Sequence, residues 1–313
     1  MTTSDDPIIR RILDADQPFR LRAEAPVSEW SIRSWCGALN DRHPAYLDEA
    51  EAIRLGHGGI MAPPIMMHSF TLPTLLTPEG PSPAAALRAR LREMGFTGVA
   101  AVSYEQDYLR PIRVGDRLTR TVRLDALSDA KTTAIGTGHF VTTRHEITTD
   151  DGATVGTMLV RVFYYRAEPP RPRSAKAAVP EDAETRIALP PVEIPVTATL
   201  VIAGSLATHD FEVVHHDRSV AQAQGMKDVF MNILTSSGLA MAYVTRWAGY
   251  DARVTRMSTR LHSSNFPGDM MTLTGLSTSA PAPGADAVVT VVGTNTTGRH
   301  VESAFTIVWP TAS

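Results

Sequence analysis

Cysteine is nearly absent from this chain. The single thiol, Cys36, excludes a disulfide within the 313 residues and fits a reducing compartment. No local motif marks Cys36 as a nucleophile, so it reads as a small buried apolar residue. Long uninterrupted apolar runs are missing too. The most apolar early stretch, 58–76, is broken by Pro63, Pro64 and Pro73, which argues against a membrane span. Residues 1–11 carry Asp5, Asp6 and Pro7 and lack the apolar centre of a secretion signal. No block of basic residues exists, and the net charge is -3, so a polyanion such as nucleic acid is not an expected partner. Arg88, Arg90 and Arg92 read as a solvated helix face. The expected protein is soluble and cytoplasmic.

What is present is enough apolar material, 43%, for ordinary packed cores, at a length that suggests about two domains at ~150 residues each. Ser28 precedes a helical pattern ending near Leu39, with Ser28 as its cap. A short helix over 49–55 ends at Gly56, and Pro63 or Pro64 suits the first turn of another, which Pro73 is expected to shorten or bend. From Gly98 onward the segments 99–104, 117–127, 137–148 and 154–165 are rich in Val, Thr, Ile, Phe and Tyr and read as strands. Residues 167–190 hold Pro169, Pro170, Pro172 and Pro180 and read as a linker between domains 1–166 and 191–313. In the second half 196–205 reads as a strand, 229–249 as a long buried helix, and four strand patterns follow.

The halves echo one another. Asp41, Tyr46 and Asp48 have the same spacing as Asp210, His215 and Asp217. Later, Pro111 to Gly115-Asp116 is echoed by Pro267-Gly268-Asp269. Each half therefore predicts a turn motif, a helix, and an antiparallel meander that the helix covers.

These residues carry a resemblance. The segment from Asp210 to Asp217 resembles the Asp-x-Asn-Pro-(Ile/Leu/Val)-His-x-Asp motif of the MaoC-type hotdog family, whose type-2 members are (R)-specific enoyl-CoA hydratases. Asp210 matches the catalytic aspartate, His215 the catalytic histidine, and Asp217 the trailing aspartate. Ala221 and Gly225 fit the helix that follows. The chain departs from the pattern at Glu212 and Val213, and at Asn232-Ile233, where the family has His-Gly. Residues 228–235 most resemble the actinobacterial branch acting on steroid side-chain acyl-CoA. The first half resembles the family's N-terminal dehydratase-like domain, with Asp41 kept and Tyr46 in place of the histidine. The resemblance implies an α+β double hotdog, two sheets each wrapping a long central helix. It also implies syn addition of water giving an (R)-3-hydroxyacyl product.

The chemistry has its own logic. Hydrating a 2-enoyl thioester needs a base for water and an acid for the α-carbon, and a carboxylate and an imidazole can share those roles. Asp210 and His215 are the expected catalytic pair. Negative charge on the thioester oxygen suits N–H groups at a helix start, with Ile233 the donor and Asn232 the cap. Asp217, Gly225 and Met231 are expected near substrate. No cofactor and no metal is expected, because the clustered His209, Asp210, His215, His216 and Asp217 lack a distant ligand set. The expected partner is an acyl-CoA thioester, with a second copy forming a homodimer. Three readings compete: Asp210 and His215 as turn and core residues, a hotdog thioesterase, and a non-catalytic acyl-CoA-binding subunit.

Overall fold

Period-two burial builds the strands. In the strand Met270–Ser277, Met271, Leu273 and Ser277 are buried with Gly275 between them, and the intervening residues face outward. In the computed structural model the described residues are 6–15, 17–74, 80–133, 135–167 and 186–311. The first half runs α1 (Pro7–Asp14), β1 (Phe19–Arg22), α2 (Glu29–Leu39), α3 (Pro44–Leu47), α4 (Glu49–Arg54), α5 (Met66–Ser69), α6 (Pro83–Glu93), then β2 (Gly98–Tyr108), β3 (Leu118–Leu127), β4 (Lys131–Thr133), β5 (Gly136–Thr149) and β6 (Thr154–Ala167). The second runs β7 (Ile187–Pro195), α7 (Ala198–Ala207), α8 (Arg218–Ala223), α9 (Ile233–Ala248), then β8 (Arg253–Leu261), β9 (Met270–Ser277), β10 (Asp286–Asn295) and β11 (Gly298–Val308).

The strand order β1-β3-β5-β6-β2-β8-β11-β10-β9-β7 is the same list read inward from either end. Two antiparallel units thus meet edge to edge, and the expected double hotdog carries one continuous 11-stranded sheet rather than two separate ones. The seam is β2 against β8, from Ser103 opposite Arg260 to Asp107 opposite Arg256. Arg256 crosses it to Glu105 (3.0 Å) and Asp107 (2.6 Å).

The duplication extends to hydrogen bonds. Asp41 accepts from the His43 N–H as Asp210 does from the Glu212 N–H. Asp48 caps α4 and Asp217 caps α8. Gly115 and Gly268 share a positive φ (93° and 94°), and their N–H groups bond Val27 O and Val196 O. Such φ values favour glycine, which has no Cβ to clash.

Three expectations need correction. Residues 196–205 form helix rather than strand. Thr197 accepts from the Leu200 N–H and caps α7, and a short continuous apolar run does not distinguish the two states. Ser28 caps α2 in the same way, at the same distance before Asp41 as Thr197 stands before Asp210. The linker expected over 167–190 overlaps β7, which starts at Ile187 and pairs with β9; residues 168–185 lie outside the described ones. Among the described residues only the second half has a long central helix, α9, buried along almost its whole length. Its counterpart, α5, is a single turn. Among the described residues no helix is long and apolar enough to cross a membrane.

Candidate active site

Helix α9 begins where it does because Asn232, in extended backbone, turns its side-chain oxygen back onto the Thr235 N–H (2.7 Å). The same amide has a second task. Its Nδ2 donates to Asp210 Oδ2 (2.9 Å) and to Thr208 Oγ1 (2.9 Å). One side chain therefore joins the helix tip to the carboxylate. Asp210 follows His209, whose φ of 56° makes the sharp exit from α7. The His209 imidazole bonds to the backbone of Ser69 in α5, and burial holds its pKa below the ordinary value.

His215 ends a 3-10 turn, Val213–His215, and is buried. Its Nδ1 lies 2.8 Å from Phe230 O. A carbonyl only accepts, so Nδ1 carries the hydrogen and the neutral ring presents Nε2 as an acceptor. Nε2 lies 3.7 Å from Asp210 Oδ2. That separation is too long for a direct hydrogen bond and suits a bridging molecule. The two atoms stand 3.7 Å apart, a spacing that one water, with two hydrogens to give, can bridge.

Through Asn232 the Asp210 carboxylate adjoins the first turn of α9. The N–H groups of Ile233 and Leu234 belong to that turn, so the helix itself supplies them no acceptor. This turn is fixed from behind. Ser236 Oγ bonds Asn232 O and lies 2.8 Å from His300 Nε2 on β11, while His300 Nδ1 lies 2.6 Å from Ser263 O. Burial lowers the His300 pKa to about 4, so the ring stays neutral and the chain of hydrogen bonds is maintained.

The structure brings Asp210, His215, Asn232 and Ile233 together. It gives the other expected residues structural work. Asp217 accepts from the Ser219 N–H, the Ser219 hydroxyl and the Val220 N–H at the start of α8, which lowers its pKa. Gly225 is exposed and, at φ 85°, follows the end of α8. Met231 is buried, with its N–H on Asn265 O (2.9 Å). Sequence reasoning missed Thr208, Phe230, His300 and Tyr104. Tyr104 comes from β2 of the other half. Burial and then the Asp210 charge raise its pKa well above the ordinary phenol value, so it stays protonated beside the site. No sequence signal marks a neighbour supplied by the other unit. Among the described residues no group of three or more His, Cys, Asp or Glu is placed to hold a metal ion.

The first-half counterpart is built differently. Tyr46 is buried and stacks on His43 with centroids 4.3 Å apart. Burial raises the Asp41 carboxyl to about 6.

The chain is 43% identical over 115 residues to the 3-oxo-4,17-pregnadiene-20-carboxyl-CoA hydratase beta subunit of Mycobacterium tuberculosis, a match covering 36% of this chain and 86% of that subunit. The chain belongs to the MaoC-like hydratase family. Within this MaoC-like chain, residues 17–158 match the family described as "FAS1-like, dehydratase domain region". The alpha subunit of the same Mycobacterium tuberculosis hydratase is 30% identical over 162 residues, 51% of this chain, and the match spans about half (50%) of that subunit's length. A solved MaoC-like dehydratase superposes with a TM-score of 0.70 at 19% identity, over 96% of this chain and 100% of the other, which shows the shared fold.

Proposed function

We propose that this chain hydrates a trans-2-enoyl-CoA to the (R)-3-hydroxyacyl-CoA, or catalyses the reverse dehydration. The observation that carries the reading is the pair of acceptors, Asp210 Oδ2 and His215 Nε2, 3.7 Å apart beside the tip of α9. Water held between them loses one proton to the pair as its oxygen bonds to the β-carbon. The electron pair of the alkene moves toward the thioester, and the N–H groups of the first turn of α9 stabilise the enolate oxygen. The proton taken from water then passes to the α-carbon. One molecule thus supplies both hydroxyl and hydrogen from one face. The (R) outcome is carried over from the family resemblance.

A bulky acyl group fits the first half. In the first half one-turn α5, rather than a long helix, packs on the sheet. His68 lies there between Tyr104 and His145, with ring centroids 5.3 and 6.1 Å away. His68 Nδ1, Ser69 Oγ and His145 Nδ1 are buried without hydrogen-bond partners. Leaving such atoms unmet costs ~1–3 kcal/mol each, so an acyl group bearing a distant oxygen suits this face better than a plain alkyl chain. The beta and alpha relatives are named for a 3-oxo steroid-type acyl-CoA, and a fused-ring side-chain thioester is the substrate class proposed here. Two hotdog units in one chain would stand in for separate subunits, and the expected homodimer would pair two such chains in the cytoplasm. Sedimentation analysis tests that pairing.

The test is a series of enoyl-CoA substrates from crotonyl to steroidal, with chiral analysis of product and a free-thiol assay alongside. Hydration is expected, fastest on the fused-ring member. Asp210→Asn and His215→Ala should each lower kcat by roughly 10²–10⁴, the range for a general acid–base group. Thiol release without hydroxyacyl product would replace this reading with a thioesterase.

A further inference from the structure

A cavity of about 190 Å³ lies away from Asp210 and His215, between the first-half position that mirrors them and Thr245 and residues 252–255 of the second half. Tyr46, the counterpart of His215, lines it with His43 and His57. Thr245 of α9 also lines it, and at ~1.5 Å per residue Thr245 stands roughly 18 Å along the helix axis from Ile233. The cavity is therefore separate from the tip of α9. Its walls are apolar, from Met61, Met67, Ile112, Val155 and Val254.

Its polar end is cationic. Arg110, Arg253 and His57 line it, and Arg113 donates to His57 O (2.9 Å). Asp116 answers Arg110 at 3.3 Å. Arg253 is exposed and forms no ion pair among the described residues. Burial first, then Arg253 and Arg113, hold the His57 pKa below its ordinary value, which marks a positive potential. His57 is 6% exposed, and its Nδ1 and Arg110 Nε are both buried with no hydrogen-bond partner. Arg110 Nε is a donor in every state, and an imidazole nitrogen becomes one by changing tautomer or taking a proton.

We infer that the cavity beside Tyr46 is a binding site without chemistry, which takes a medium-chain carboxylate, its apolar body among Met61, Met67 and Ile112 and its anionic end at His57, Arg110 and Arg253. An anion supplies acceptors for the two unmet nitrogens and balances the surplus cation. Size sets the class. A cavity volume of ~10–15 Å³ holds one water, so 190 Å³ admits about a dozen heavy atoms, enough for a medium-chain acid such as octanoate. Chemistry is absent because buried Tyr46, its pKa pushed well above the phenol value, replaces the imidazole.

Octanoate is the probe, with octanol as its uncharged analogue, measured by titration calorimetry on the full chain. Octanoate should bind the native protein and the Asp210→Asn variant equally, octanol at least tenfold more weakly. Arg253→Glu, a change at an exposed position, should weaken octanoate at least tenfold, with circular dichroism confirming the fold. Saturating octanoate should leave the KM for enoyl-CoA unchanged. Failure of octanoate to bind, equal binding of octanol, or unchanged affinity in Arg253→Glu would each overturn the inference. Competition with enoyl-CoA would do so too, by moving the acid into the Asp210 cleft. The calorimetric readout does not depend on turnover, so its failure is distinguishable from failure of the hydratase reading.

Discussion

Asn232 does three things with one amide: it caps α9, holds Asp210 Oδ2, and bonds Thr208. The family pattern has a different residue pair there, yet the geometry explains what this chain gains. Asn232→Ala removes the cap and frees the carboxylate together. Loss of the cap costs ~1 kcal/mol of stability. Activity should suffer more, with kcat down at least tenfold and KM changed less, because Asp210 loses the partner that aims it. Asn232→Asp would keep the cap but set a second carboxylate against Asp210, so capping and orientation separate. Equal kcat in the native protein and Asn232→Ala would remove Asn232 from the site. The approach of Asp210 to His215 was expected from their spacing together with the family resemblance, and the cap at Asn232 from its residue type and place. Thr208, Phe230 and His300 were not, because each reaches the site through the chain's fold rather than through a local pattern.

Among elements, α7 packs closely on the first turn of α9. A Cβ added at Gly204 of α7 would fall inside contact distance of Thr235 Oγ1 and Cγ2, in the first turn of α9. A β-branched side chain in a helix has little rotamer freedom to yield. Gly204→Ala should therefore push the helix tip aside, costing ~1–3 kcal/mol as overpacking does, and lower kcat as the N–H groups move. Thr235→Ala in the same chain removes the obstructing atoms and should restore both melting temperature and turnover. A double variant no better than Gly204→Ala alone would mean that the contact is not the cause. The helical state of 198–207 was not legible from its apolar run, which fits either element. It was legible in the duplication, since Thr197 repeats the capping position of Ser28. The shortness of α5 was partly accessible: Pro63 and Pro64 mark a start and Pro73 points to a shortened or bent helix, yet α5 ends at Ser69 and no residue of 66–69 forces that stop.

At the scale of the whole molecule, buried histidines set the response to acid. Burial lowers His43 and His300 to about 4 and holds His68 and His145 well below their ordinary value. Between pH 6.5 and 4 the unfolded chain binds protons at these rings that the folded chain refuses. Stability is therefore full above pH 6.5 and falls as pH drops through that window. Asp41 opposes this, because its folded pKa of about 6 makes the fold bind a proton that the unfolded chain lacks between pH 6 and 4. Each tenfold difference in proton affinity between the two states is worth about 1.4 kcal/mol, so four histidines outweigh one aspartate. Melting temperature should decline steadily from pH 7 to pH 5 in low-salt buffer. A flat profile across that range would show that these rings open to solvent without unfolding.

The sequence by itself determined the two-unit plan, the strands, and the loop that carries Asp210 and His215. These rest on local periodicity, turn chemistry and a repeated spacing, all of which survive without a partner surface. Tertiary structure alone decided that the two sheets merge at β2 and β8, that α5 stays one turn while α9 runs full length, and that Tyr104 of one unit faces the carboxylate of the other. Those outcomes depend on which surfaces meet, and packing energy between distant segments leaves no mark in the order of residues along either one.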